Sequence, residues 1–543
     1  MSAPHHRLAL VAALFVFVSY GYFAQGGSAN PNSRYNLTRS IVERGALNVD
    51  PYHTNTIDKS FHDGHHYCDK APGLSLVAVP VYAVTVARAD AQSPSPEPDS
   101  EALYLLTVGT VSLVSAVAAA FMLLLLVRLG VHPLIGLAAV ALWTVGTNAF
   151  AYGATFVGHQ FVASLLTIAL YCLERAFPTL PRDDHDDTHA PWWLTAAGAL
   201  LGYTVVSEYP AALIVCGVGL YALWRLIQAR RWSWMPWFIL PGLLPGFGLM
   251  VYNAVCFGGP LQLSYTRLVG VEVFQEGIEQ GVFGISLPRP VAVWELLFGE
   301  FRGLLPLSPA YLLAPFGWIA LLRDPDRRPM GALTLGLCLM FLGVIGGFAF
   351  WHGGAAMGPR MLVPTLPFAT VAVAVALQRL WDWAPTSGGL KALRASSLGA
   401  SALLIAASIA ICTMCVAVFP DFPESEQVMI PGQARPVTRT IPPGSTEIPF
   451  QVVDKPFRNI IWPLFQADLL SQKVVERGSV GLESQLGTPG HRWDAFNLGE
   501  LLGLKGRASL IPLLVFWILS AIAAVVLWRR GEDPGQPSPS DDR

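Results

Sequence analysis

The sequence predicts an all-α polytopic membrane protein, with about 12 transmembrane helices and one re-entrant or juxtamembrane helix, on three observations. Of its 543 residues 53% are hydrophobic and only 13% charged, more apolar content than a single soluble core of that length requires. Apolar runs near the length a helix needs to cross a bilayer recur along the chain. Lysine and arginine collect in the short loops between those runs, as they do on the cytoplasmic side of a membrane. The formal net charge of -2 hides this separation of charges and offers nothing to a nucleic-acid partner.

Taken in order, the first run, inside "MSAPHHRLALVAALFVFVSYGYFAQGG", predicts a retained signal-anchor helix at 8–24 rather than a cleaved leader. Further spans are predicted at 103–127, 133–150, 157–173, 193–207, 209–226, 236–256, 305–322, 331–349, 362–379, 397–418 and 509–528. The segment "GLSLVAVPVYAVTVAR" at 73–88 is apolar but short, with Pro80 near its middle. Arg225, Arg230 and Arg231, then Arg323, Arg327 and Arg328, then Arg379, Lys391 and Arg394, and finally Arg529 and Arg530 mark cytoplasmic loops. Arg7 joins them only if residues 73–88 do not cross, so that segment is predicted re-entrant, with both termini cytoplasmic.

This count makes residues 1–418 a multi-span membrane domain that includes an outer loop at 25–102. Residues 419–508 form an outer loop or small cap, 509–528 the last span and 529–543 a disordered cytoplasmic tail; "SPSPEPD" at 93–99 reads as a flexible link. Cys68 alone among the seven cysteines falls in a long polar loop, so no disulfide framework is expected.

The same count puts the polar motifs on one face, facing the periplasm or exterior of the cytoplasmic (inner) membrane. "YGATFVGHQ" at 152–160 carries His159, and "SEYP" at 207–210 sets Glu208 in a very short turn between two apolar helices. Ionisable groups at such depth are costly and usually line a site, although Glu208 could simply cap the helix that Pro210 begins. "WHGGAAMGPRMLVP" at 351–364 carries Arg360, whose planar fork suits a phosphate; a snorkelling arginine is the plainer alternative. In the first outer loop an amphipathic helix is expected at 33–44, followed by "DPYHTNTIDKSFHDGHHYCDKAPG" with a turn at Asp63-Gly64. His62, His65 and His66 lack the spacing of a zinc site and read as solvated turn residues. Asp69 and Lys70 sit where the chain returns to the membrane, and a lysine there can hold a phosphate. Asn36-Leu37-Thr38 is a formal glycosylation sequon.

These residues carry a resemblance. A first span, then a long outer loop ending in Tyr67, Asp69, Lys70, Pro72 and Gly73, then many helices, resembles the GT-C superfamily of integral-membrane glycosyltransferases. Within it the chain is similar to the branch of protein O-mannosyltransferases and lipid A aminoarabinose transferases. The GHQ, SEYP, YNxxxFGGP and GGxxxGPR motifs look like those of a bacterial family 39-like subgroup. The resemblance implies a polyprenyl-phosphate sugar donor, a lipid, glycan or protein acceptor, and hexosyl or pentosyl transfer, with a divalent metal ion possible. Such transfer needs a carboxylate for the acceptor and cations for the leaving phosphate. The family places an acid just after the first span, where this chain has Asn30 and Asn32. Asp58 is therefore the first candidate base and Asp50 the second; Lys70 and Arg360, beside Asp69, are the phosphate-binding candidates, and Glu208 and His159 line the cavity. Two other classes remain open: a transporter or flippase of a lipid-linked glycan, and a non-catalytic accessory subunit with the same fold.

Overall fold

The computed structural model describes residues 3–86, 99–181, 187–269, 272–354, 356–418, 438–440, 451–453, 455–471 and 495–532. Nearly all of the expected link at 93–99, most of the cap at 419–508 and the tail beyond 532 lie outside them. The long helices are α1 (Ala3–Gly21), α2 (Ala29–Arg44), α3 (Gly73–Val86), α4 (Ser100–Arg128), α5 (Pro133–Val145), α6 (Gly158–Ala176) and α7 (Ala190–Ser207). They continue with α8 (Ala212–Gln228), α9 (Met235–Phe257), α10 (Ala314–Arg323), α11 (Arg328–Gly347), α12 (Leu366–Asp382), α13 (Gly388–Val418) and α14 (Ile511–Glu532).

Among the described residues seven helical segments are long and apolar enough to cross a membrane: Ser100–Arg128, Tyr209–Gln228, Trp232–Phe257, Arg328–Gly347, Arg360–Asp382, Gly388–Val418 and Gly506–Arg530. The remaining predicted spans coincide with helices that are shorter, broken or more polar. The span expected at 305–322, for instance, falls on three pieces between Leu304 and Arg323, because Pro306 and Pro309 interrupt the backbone ladder. The outward face of α9 shows Leu240, Leu243, Leu244, Phe247, Val251 and Val255 exposed at helical spacing. That stripe suits lipid and no aqueous surface, and the chain is an integral membrane protein.

Close helix contact replaces the hydrophobic effect as the main attraction within the bilayer. α7 lies along α9 through Gly198 and Gly202, four residues apart: a Cβ added at either would stand 2.1 Å from a backbone oxygen of Phe238 or Gly242. α1 packs on α4 and α14. Its C-terminal end continues as β1 (Phe23–Gln25), paired antiparallel with a strand at Ala495–Asn497 just before α14. A hairpin of β2 (Lys59–His62) and β3 (His65–Cys68) turns at Asp63 (φ 48°) and Gly64 (φ 80°), the left-handed pair that a two-residue turn demands. The segments Thr438–Thr440 and Gln451–Val453 also pair.

The helix expected at 33–44 begins at Ala29 and is buried continuously from Pro31 to Ser40, so it is an internal strut and not an amphipathic surface helix. Its small polar side chains hide its period from the sequence, and Pro31 is tolerated because a first turn has no use for its missing N–H. The sequon asparagine, Asn36, is inside: it exchanges amide hydrogen bonds with Asn55 at 2.8 and 3.1 Å. Glu43 accepts from Arg39 at 3.0 Å, Tyr52 at 2.7 Å and Tyr82 at 2.6 Å, and thereby ties α2 to α3.

Candidate functional site

The site is assembled where α2, the β2–β3 hairpin, the start of α3 and the α7–α8 turn meet. Thr38 and Ser75 interlock α2 with α3, Thr38 donating to the Ser75 carbonyl at 3.0 Å and Ser75 to the Arg34 carbonyl at 3.0 Å. Gly73 follows from the same crowding: a Cβ there would stand 2.8 Å from the Val206 carbonyl. The Pro72-Gly73 step therefore lets α3 begin directly against the end of α7.

Lys70 sits just ahead of that step, half-buried between two carboxylates, with Nζ 3.0 Å from Asp58 and 2.8 Å from Asp69. Asp69 also accepts from the Ser33 hydroxyl at 3.2 Å. Its backbone carbonyl accepts from Ser264, whose own carbonyl accepts from Ser60. Burial pushes the Asp69 carboxyl up to about 6, Lys70 restraining the rise and Asp58 adding to it. Burial would lower the Lys70 ammonium, but Asp58 and Asp69 more than compensate and hold it above its ordinary value.

Arg34 of α2, fully buried, supplies a partner for Glu208. Its guanidinium donates to Glu208, to Asn30 at 3.0 Å and to the Ala71 carbonyl at 3.0 Å. Glu208 in turn lies over the first residue of α6, where a Cβ at Gly158 would stand 2.2 Å from a carboxylate oxygen. Glycine in the GHQ motif thus makes room for the acid of the SEYP motif. The next residue, His159, is buried with Nε2 lacking a hydrogen-bond partner among the described residues, and Glu208, Arg360, Arg34 and Lys70 all bear on it electrostatically.

Arg360 arrives from the opposite side. Tyr152 and Asn148 both donate to the Met357 carbonyl, at 3.1 and 3.4 Å. The fully buried Arg302 donates to the His352 and Gly354 carbonyls at 3.0 and 2.6 Å. These bonds shape the WHGG loop so that Gly353 (φ 74°) rests against the Arg360 side chain. Among the described residues the Arg360 Nε is buried without a hydrogen-bond partner, as are both amide atoms of Gln160 and the Asn32 Oδ1. Buried polar atoms left unsatisfied call for an explanation, and a polar ligand is one. Beyond Lys70 lies Tyr265, edge-on to Tyr209 with centroids 5.5 Å apart. It lines a cleft of about 560 Å³ together with Leu268, Ile278, Glu279 and Phe283.

Of the candidates read from sequence, Asp58, Asp69, Lys70, Glu208, His159 and Arg360 come together in this region. Asp50 does not: it accepts from His65 Nδ1 and the His66 N–H, both at 2.7 Å, which hold its carboxyl below the usual range against the opposing effect of burial. The hairpin histidines are organised by that contact and by His66 stacking on His53 at 3.8 Å. Among the described residues no three His, Cys, Asp or Glu side chains are grouped to hold a metal ion. The nearest pair of oxygen ligands, Asp58 and Asp69, is occupied with Lys70. Sequence reasoning missed Arg34, Ser33 and Tyr265. Arg34 had one available signal, a charge two residues beyond Asn32, next to the stretch where the resemblance expects an acid.

No family model and no curated protein matches the chain. Among solved structures it is similar to ArnT from Cupriavidus metallidurans bound to undecaprenyl phosphate, with 13% identity over 76% of this chain and 69% of that one and a TM-score of 0.47. It is also similar to the archaeal oligosaccharyltransferase AglB from Archaeoglobus fulgidus, in complex with an inhibitory peptide and a dolichol-phosphate, with 11% identity over 78% and 56% and a TM-score of 0.46. The case for function rests on the site's own chemistry.

Proposed function

We propose that this protein is a glycosyltransferase of the GT-C kind. It transfers a sugar from a polyprenyl-phosphate donor to a lipid, glycan or protein acceptor at the outer face of the cytoplasmic membrane. One observation carries the reading. A single, largely buried cluster in a membrane protein holds two carboxylates on Lys70, the Arg34–Glu208 pair, and His159 Nε2 and Arg360 Nε, which have no hydrogen-bond partner among the described residues.

In the proposed reaction an acceptor hydroxyl attacks the anomeric carbon, its proton passing to Asp58. The bond from that carbon to the phosphate oxygen breaks, and the lipid phosphate leaves with the electron pair. Lys70 and Arg360 take up the charge that develops there. Binding of the phosphate by Lys70 weakens its hold on Asp58 and so frees that carboxylate to act as base. Glu208, held by Arg34, and His159 line the sugar side, and the cleft beside Tyr265 admits the acceptor.

The test is to incubate the purified protein with polyprenyl-phosphate hexoses and pentoses and acceptor extracts. Transfer is expected, with Asp58→Asn reducing it by about 10²–10⁴-fold and Lys70→Ala by about 10²–10³-fold. No transfer from any donor would sink the enzyme reading, and undiminished transfer by Asp58→Asn would remove the base. A flippase would instead move lipid-linked glycan without forming a new glycosidic bond.

A further inference from the structure

A second cavity, of about 600 Å³, lies between the start of the 304–323 segment, the C-terminal part of α13 and the described residues 455–471. Its walls include Phe301, Met414 and Trp462, and its rim carries Lys455, Arg458 and Glu300. Three features set it apart from an ordinary surface hollow. Lys455 has φ 49°, a region costly for a residue with a side chain and one that clusters at functional sites. Arg458 lies in a π-helical turn, Phe457–Ile461, a local widening also frequent at such sites. Neither cation has an ion-pair or hydrogen-bond partner among the described residues, while Trp462 is left exposed beside them.

We propose that this cavity is a seat for an anionic phospholipid, separate from the Lys70 cluster. Two cations three residues apart, unpaired among the described residues, match a phosphate headgroup, and the indole and aliphatic wall matches the start of an acyl chain at the membrane–water interface. Phospholipid is the occupant chosen over a soluble phosphate because the charged rim is continuous with an apolar wall. The seat is mechanically close to the candidate site: Phe301 forms part of its wall, and the adjacent Arg302 holds the loop that carries Arg360. The assignment stands whether or not the protein transfers sugar.

The test places the full chain in phosphatidylcholine nanodiscs doped with phosphatidylglycerol, and native mass spectrometry reads the lipid retained after detergent extraction. Phosphatidylglycerol should be retained about tenfold over phosphatidylcholine, two interfacial cations acting against one carboxylate. The double variant Lys455→Ala/Arg458→Ala should erase that preference, and Glu300→Gln, which removes the opposing charge, should strengthen it several-fold. Lys70→Ala should leave it unchanged. Equal retention of both lipids, indifference to these rim variants, loss of the preference in Lys70→Ala, or displacement of the bound lipid by millimolar inorganic phosphate would each overturn the seat.

Discussion

Lys70 carries one positive charge between two acids, and the pH dependence of the loop follows from that arrangement. The Asp69 carboxyl is raised to about 6, so the folded chain binds its proton more tightly than the unfolded chain does. This contribution to stability is whole below the ordinary carboxylate range near 4 and disappears as pH rises through about 6. Thermal unfolding in detergent should therefore show the wild type losing stability between pH 4 and 7 relative to Asp69→Asn; parallel profiles would refute it. Arg34 makes a second prediction. Removing one partner of a buried ion pair leaves the other charge stranded, so Arg34→Ala should destabilise by about 3–5 kcal/mol in denaturant unfolding, and Arg34→Lys should recover only part. Lys70 was legible because it stands beside Pro72 and Gly73 at a return to the membrane. Arg34 was not: attention at "ANPNSRY" falls on the absent acid, and nothing local says that its guanidinium reaches Glu208, 174 residues away. Asp50 stood second to Asp58 in sequence, and the folded hairpin separates them by giving Asp50 to His65 and His66.

At the scale of elements, α6 and the α7–α8 turn meet through Gly158, whose missing side chain accommodates the Glu208 carboxylate. Gly158→Ala should displace that carboxylate, costing roughly 1–3 kcal/mol as overpacking does and lowering transfer about as much as Glu208→Gln. Wild-type transfer by the alanine variant would uncouple the two motifs. The long apolar helices were readable from hydropathy alone, since length and composition are what a bilayer selects. The boundaries of α2 were not, because a buried helix of Asn, Ser, Thr and Arg has no apolar period to follow, and its partners come from α3 and the residues 48–56. The span expected at 305–322 is broken in the structure, since hydropathy averages over the two prolines that divide it.

For the whole molecule, the loop charges predict orientation. A cysteine introduced as Ser387→Cys, between α12 and α13, should react only with reagents that reach the cytoplasm. One introduced as Thr266→Cys, beside the Tyr265 cleft, should react with an impermeant reagent from outside. The reverse pattern would invert the protein and move the proposed site to the wrong compartment. The overall architecture was legible because the bilayer imposes it; the cavity at Lys455 was not, since its walls come from three distant parts of the chain. The seam that joins the two ends has a temporal meaning. Tyr22 donates to the Ser509 carbonyl across 487 residues, Phe23–Gln25 pairs with Ala495–Asn497, and Trp517 donates to Ser19. The base of the loop that bears Lys70 therefore gains this support only after residues 495–517 have left the ribosome. Nascent chains halted before residue 495 should keep that loop open to protease, and chains extended so that residues 495–517 have emerged should close it.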